Sequence, residues 1–276
     1  MLRRFLSILP AVTTLALVVG VLAAPTASAQ SAPPNSMASL GDSITRGFNA
    51  CGWYSDCTDR SFSTGNDSVV NSHARRIRAV NPSFGTAYND ASTGARANAM
   101  AGQAATAVSQ GAQYVTMEIG ANDACTSSEA SMTSVATYRS QIDSALGTLK
   151  NGLPNARVFL GSIPDLKRLW FIGKGNSSAR FFWSAGGICQ SMLANPTSTA
   201  VADEDRRNRV RQRVIDFNSQ LAQACAAYGP NCKFDNNAIF NFQFVIGQVS
   251  GWDYFHPNQE GQRVLAQVSY AAGFGW

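Results

Sequence analysis

The sequence is short of histidine, of charge and of long apolar runs. Of 276 residues only two are histidine, His73 and His256, and 14% are charged. So few imidazoles, with no cysteines at CxxC spacing, leave little to hold a zinc ion. The net charge of +5 falls by two once Arg3 and Arg4 are set aside. A nucleic-acid footprint needs clustered Lys and Arg at far higher density, so no nucleic-acid partner is expected. The one basic run, Arg206 to Arg213, adjoins Asp203, Glu204 and Asp205 and reads as a solvated helix face. No stretch beyond the N-terminal segment is apolar enough to span a bilayer. No repeat, linker or low-complexity block follows Ser36, so residues 30–276 read as a single domain.

What is present begins with a leader. Met1 to Arg4 is basic, Phe5 to Ala24 is mostly apolar, and Ala27-Ser28-Ala29 offers a small-x-small cleavage site. Residues 1–29 therefore read as a secretory signal peptide, which makes the mature protein extracellular. An exported chain meets oxidising conditions, so Cys51, Cys57, Cys125, Cys189, Cys225 and Cys232 are expected in three disulfides. Short loops close at least entropic cost, which favours Cys51–Cys57 and Cys225–Cys232 and leaves Cys125–Cys189.

Three short apolar runs, Met37–Gly41, Tyr114–Gly120 and Arg157–Ile163, read as strands of a sheet buried on both faces. Helical spacing separates them, as at Val135, Tyr138, Ile142, Leu146 and Leu149, then at Val210, Val214, Phe217 and Leu221. Strand and helix in alternation specify an α/β fold with a parallel sheet wrapped on both faces. Sites in such sheets form at the carboxyl ends of the strands. Leu166 to Ala200 breaks the rhythm; it holds Trp170, Phe171, Phe181, Phe182 and Trp183 among Gly and Ser without a clean period. It reads as an irregular insertion, either a cover or binding loop or a disulfide-stapled surface loop.

Ser43 follows the first strand in Gly41-Asp42-Ser43-Ile44. A serine hydroxyl needs a neighbouring base to become a nucleophile, and only two histidines are candidates. His73 sits among Val70, Ile77 and Val80 on the apolar face of a predicted helix and reads as structural. His256 lies in Asp253-Tyr254-Phe255-His256-Pro257-Asn258, where Pro257 keeps it out of a helix and Asn258 caps the next one. Asp253 is placed to accept the Nδ1 proton and leave Nε2 facing a serine, although a turn-forming aspartate is the plain alternative. Oxyanion donors are available from the Ser43 N–H, from Gly94, whose missing Cβ permits close approach, and from the Asn122 side chain. An ordinary turn at Gly94 and a helix cap at Asn122 are the competing readings. Asp42 is assigned to the turn, not to catalysis.

The ordered set GDSI (41–44), Gly94, GAND (120–123) and DYFHP (253–257) resembles the GDSL esterase/lipase family, also called SGNH hydrolases. The secreted six-cysteine layout is similar to the actinobacterial extracellular lipases and phospholipases of that family. The resemblance implies a three-layer α/β/α sandwich with a flavodoxin-like parallel sheet. It implies Ser43 as nucleophile, His256 as base, an oxyanion hole of Ser43, Gly94 and Asn122, and no metal or organic cofactor. It also supports the three cysteine pairs. Ile44 replaces the family's leucine, a change of branching only. Some relatives orient the histidine with a backbone carbonyl; the aspartate at the familiar offset here favours a triad with Asp253.

The expected substrates are fatty-acyl esters, with the Trp170–Trp183 aromatics and Phe240, Phe242 and Phe244 lining an acyl groove or meeting a lipid interface transiently. The same phenylalanines also suit a core or one face of a strand. A carbohydrate acetyl esterase and a non-enzymatic secreted binding module are the alternatives. A monomer is the default expectation.

Overall fold

The computed structural model describes residue 2 and residues 32–276; but for residue 2, the expected signal peptide over 1–29 lies outside the described residues. In chain order the elements are β1 (Met37–Gly41), α1 (His73–Val80), β2 (Ala87–Asn89), α2 (Met100–Ser109), β3 (Tyr114–Glu118), α3 (Ala121–Ala124), α4 (Val135–Gly152) and β4 (Arg157–Gly161). There follow α5 (Leu166–Gly173), α6 (Ser177–Ala185), α7 (Gln190–Leu193), α8 (Val201–Tyr228), β5 (Cys232–Phe234), α9 (Ala238–Asn241) and α10 (Gln259–Ala271).

Among the described residues the five strands are all parallel, in the order β2-β1-β3-β4-β5. This is the flavodoxin-like order, whose direction of winding reverses between β1 and β3. Side chains alternate along each strand, so the two faces separate. Ala38, Leu40, Val115, Met117, Val158 and Leu160 join the large core built with α2, α4 and α8. Met37, Tyr114 and Phe159 face the other way, into a smaller core with Ala74 and Ile77 of α1 and Tyr270 of α10. Helices thus cover both faces, giving a three-layer α/β/α sandwich. The second face is more polar: Ser39, Thr116 and Glu118 are fully buried there beside Ser63 and His73.

Three sequence expectations are corrected. Residues 166–200 are not irregular, since α5, α6 and α7 occupy much of them. Asp165 and Asn176 cap α5 and α6 by accepting N–H groups of the first turn. Trp170 and Trp183 are buried in the core, not spread on a cover, while Phe171 and Phe181 are exposed. Phe240, Phe242 and Phe244 form no strand: Phe240 is in α9, Phe242 caps it, and Phe244 follows in a turn. Finally, the 206–213 run is not one solvated face. Arg207 is fully buried, with its guanidinium 4.4 Å above the Trp170 ring and bonded to the Ser198 carbonyl and Glu204. A planar guanidinium stacks and donates at once, which makes its burial tolerable.

The cysteines pair Cys51–Cys57, Cys125–Cys189 and Cys225–Cys232. The second bond spans 64 residues and ties the end of α3 to the start of α7.

Candidate active site

Ser43 stands two residues past the end of β1, and Asn122 lies in α3, the short helix that follows β3. Both therefore sit at the reversal of strand order, where α/β sheets open a crevice. The turn into Ser43 is sharp because Gly41 adopts φ +151°, and a Cβ there would fall 2.5 Å from the Glu118 carbonyl oxygen. The amide of Gln103 clasps both backbone groups of Gly41, accepting from N at 2.8 Å and donating to O at 3.0 Å. Gln262 of α10 does similar work across the fold, donating to the Ile44 carbonyl at 2.8 Å and accepting from Phe62 N.

His256 reaches Ser43 from the far end of the chain. Its Nε2 lies 2.8 Å from Ser43 Oγ, and its Nδ1 lies 2.5 Å from Asp253 Oδ2. Asp253 is buried and accepts three further bonds, from the Phe255 and His256 amides and from Asn49 Nδ2 at 2.7 Å. A carboxylate surrounded only by donors is an acceptor, so Nδ1 carries the imidazole proton and Nε2 is left to accept from the serine. The turn between them holds Tyr254 at φ +52°. Its carbonyl receives the indole N–H of Trp183 at 2.9 Å, so α6 is bonded to the loop that carries Asp253 and His256. Phe48 packs against the imidazole at 4.9 Å.

Asn122 Nδ2 donates to the Ala95 carbonyl at 2.9 Å and lies 3.4 Å from Asp42 Oδ2. It thereby joins the Gly94 loop to the serine turn. Asp123 braces the same loop, accepting from Ala97 N at 3.0 Å and from Thr133 Oγ1 at 2.7 Å. The sequence argument for Gly94 changes: an added Cβ would touch nothing within 4 Å, so close approach does not require glycine. What requires it is the backbone, at φ +81°.

Asp42 is fully buried, and its Oδ1 accepts from Ile44 N at 2.9 Å. Burial pushes its carboxyl up to about 6, opposed by the Ile44 N–H and by His256 and reinforced by Asp123. Beneath it, Glu118 is buried with neither carboxyl oxygen hydrogen-bonded, and burial with Asp42 and Asp235 nearby pushes it well above the usual range. His73 lies outside this site. Its Nε2 is 2.7 Å from Ser269 Oγ, which donates onward to the Leu265 carbonyl, and its Nδ1 is 2.9 Å from Tyr114 Oη. Burial, aided by Arg76, lowers it to about 3, so it is a neutral core residue.

Sequence reasoning missed Asn49, Gln103 and Gln262. Each acts on a partner 62 or more positions away. None carries a local signal, being a single amide in an unremarkable stretch.

An apolar pocket adjoins the serine turn, lined by Ile44, Leu166, Leu169, Ile172, Phe244 and Phe255 among others. Chemically, the constellation supplies a hydroxyl, a base in contact with it, a buried acid behind the base, and a side-chain amide beside a glycine loop. That is the set needed to attack a carbonyl and stabilise the oxyanion that forms.

The sequence profile described as "GDSL-like Lipase/Acylhydrolase" matches residues 37–268. Among solved structures, the chain is similar to LAE5, an alpha/beta hydrolase enzyme from the metagenome of Lake Arreo, Spain. The identity is 17% and the TM-score 0.54, over 87% of this chain and 95% of that one. It is similar to the extracellular lipase of Streptomyces rimosus, with 19% identity and a TM-score of 0.50 over 86% and 99% of the two chains. It is also similar to a family 3 carbohydrate esterase of Clostridium thermocellum, with 12% identity and a TM-score of 0.50 over 86% and 93%. Likeness at these identities is one of fold. No curated protein sequence matches the chain.

Proposed function

Because the chain belongs to the GDSL-like lipase/acylhydrolase family, whose profile spans residues 37–268, we propose that it is a secreted serine hydrolase of fatty-acyl esters. The observation that carries the reading is the relay Ser43–His256–Asp253, with contacts of 2.8 and 2.5 Å. His256 Nε2 takes the hydroxyl proton as Ser43 Oγ bonds to the ester carbonyl carbon. The oxyanion is met by the backbone N–H groups of Ser43 and Gly94 and by the Asn122 amide. The bond to the alcohol oxygen then breaks, and His256 returns the proton to that oxygen. Water attacks the acyl-enzyme, gives its proton to His256, and the proton passes back to Ser43 as the acid leaves. Asp253 keeps the imidazole in the right tautomer and stabilises its charged form.

The preference for fatty-acyl over acetyl esters is supported by the apolar pocket beside Ile44 and Phe255, since an acyl tail gains from leaving water. Export is supported by three disulfides among the described residues. A single catalytic domain acting as a monomer, from residue 30 onward, completes the reading. The test is titration of acid released from dispersed phospholipid, triglyceride and an acetylated sugar, with Ser43→Ala alongside. Acid from the lipids that vanishes in the mutant is expected. Acid from the acetylated sugar alone would make the enzyme a carbohydrate esterase, and release that persists in the mutant would remove Ser43 as nucleophile.

A further inference from the structure

Large aromatic side chains are exposed around the serine crevice. Trp53 is 69% exposed, Tyr54 66%, Phe181 65% and Trp252 46%. They form one connected rim. Tyr54 rests on Phe48 at 5.1 Å, and Phe48 on His256 at 4.9 Å. Trp252 adjoins Asp253 in sequence and donates its indole N–H to the Gly52 carbonyl at 2.7 Å. Phe182 lines the same cleft as Gly52 and Trp252, stacks on Tyr254 at 6.0 Å, and carries Phe181 against it at 5.5 Å. Exposed aromatic groups gathered in one place, and held there by the Cys51–Cys57 bond and the Trp252 hydrogen bond, mark a contact surface.

Charge identifies the kind of surface it meets. Residues 166–185 hold Lys167, Arg168, Lys174 and Arg180 and no acidic side chain. Lys174 and Arg180 are in no close ion pair among the described residues, Glu204 acting on Lys174 only at longer range; Lys174 lies 4.2 Å over the Trp170 ring, and Arg180 directly precedes Phe181. Of the acids near the rim, Asp56 is paired with Arg46 at 2.8 Å and Glu260 with Arg263 at 2.6 Å. Trp, Tyr and Phe beside Lys and Arg is the pairing that settles into the headgroup layer of an anionic bilayer. A neutral polysaccharide makes no use of those cations.

We propose that Trp53, Tyr54, Phe181 and Trp252, flanked by Lys174 and Arg180, form a docking surface for anionic phospholipid bilayers, seating the Ser43 crevice on the lipid. This rests on the fatty-acyl reading of the site.

The test separates docking from turnover. Ser43→Ala protein, which leaves lipid intact, is sedimented with vesicles of phosphatidylcholine alone or with about a third phosphatidylglycerol. In the Ser43→Ala background, Trp53→Ser/Phe181→Ser and Lys174→Gln/Arg180→Gln are compared. With Ser43 intact, the same pairs are assayed on a water-soluble butyrate ester. Expected is binding to the anionic vesicles that weakens at least tenfold in either pair and in 0.5 M salt. Hydrolysis of the soluble ester should stay within twofold of the parent. Binding that ignores both pairs of changes, or that is equal on neutral vesicles, overturns the proposal. So does binding to acetylated polysaccharide in place of vesicles. Loss of soluble-ester hydrolysis in step with vesicle binding would assign these side chains to the fold. If the parent cleaves no ester at all, the function reading fails while the sedimentation result still decides the docking surface.

Discussion

Asn49 and His256 share one carboxylate oxygen: Asp253 Oδ2 accepts from Asn49 Nδ2 at 2.7 Å and from His256 Nδ1 at 2.5 Å. Asn49 is buried at φ +67°, close behind the serine turn. It therefore fixes where the acid stands. A hydrogen bond to a charged group contributes roughly 1.5–3 kcal/mol. Asn49→Ala should lower kcat about tenfold or more and move KM little. Steady-state kinetics on a soluble ester checks this; an unchanged kcat would make Asn49 a folding residue only.

Asp253→Asn replaces an acceptor with a group that can donate toward Nδ1, which favours the wrong tautomer. In another triad enzyme that exchange costs about 10⁴ in kcat, and a similar loss is expected here. No backbone carbonyl bonds His256 Nδ1 among the described residues. A loss of only a few fold would assign the orienting role elsewhere.

Asn122→Ala should reduce kcat by about 10²–10³, the usual cost of one oxyanion donor. Because Asn122 also holds the Ala95 carbonyl, Asn122→Asp is the sharper probe. It keeps the size, removes the N–H groups and sets a carboxylate beside buried Asp42. Its kcat should fall at least as far, and the loss should deepen as pH rises and that carboxylate ionises.

The buried acids and the buried histidine oppose each other in pH dependence. Glu118 is held well above, and Asp42 raised to about 6 from, their ordinary values. The native state thus keeps protons that the unfolded chain releases, so their contribution is full below about pH 4 and is lost as pH rises. His73, lowered from 6.5 to about 3, works the other way: stability is present above pH 6.5 and is lost as pH falls toward 3. Glu118→Gln should raise Tm at pH 7 and change it little at pH 4, as thermal melts across that range would show. A Tm that falls at pH 7 would mean that Glu118 is ionised and paired.

Opening Cys125–Cys189 with paired serines should cost about 4 kcal/mol on loop-entropy grounds, against about 2 for Cys51–Cys57. The first closes 64 residues and the second six. Denaturant unfolding of the two double mutants measures the order; equal losses would point to native-state contacts instead.

Much of this was readable from the sequence. Ser43 and His256 stand out because few residue types can be nucleophile or base, and only two histidines compete. The strands were readable because Leu40, Val115, Met117, Val158 and Leu160 fall in short runs bounded by Gly and Pro. Residues 166–200 were opaque for a physical reason. Helices of eight and nine residues, burying two side chains each, are too short to display a period. Their caps, Asp165 and Asn176, were the only local signs. Arg207 could not be told from its solvated neighbours, because what buries it is Trp170 on another helix. Glu118 sat in a strand that reads as apolar, and nothing local reveals that its carboxyl has no partner.

Ser43 and His256, the proposed nucleophile and base, are in contact yet 213 residues apart. When the chain is made, Ser43 emerges among the first described residues and His256 among the last. Every partial chain short of residue 256 carries the serine turn without His256. Closing so distant a contact is slow compared with forming the local helices. Turnover is therefore a late event in the molecule's history. Recovery of activity during refolding should lag behind recovery of helical signal, and so report the moment at which the two ends of the chain meet.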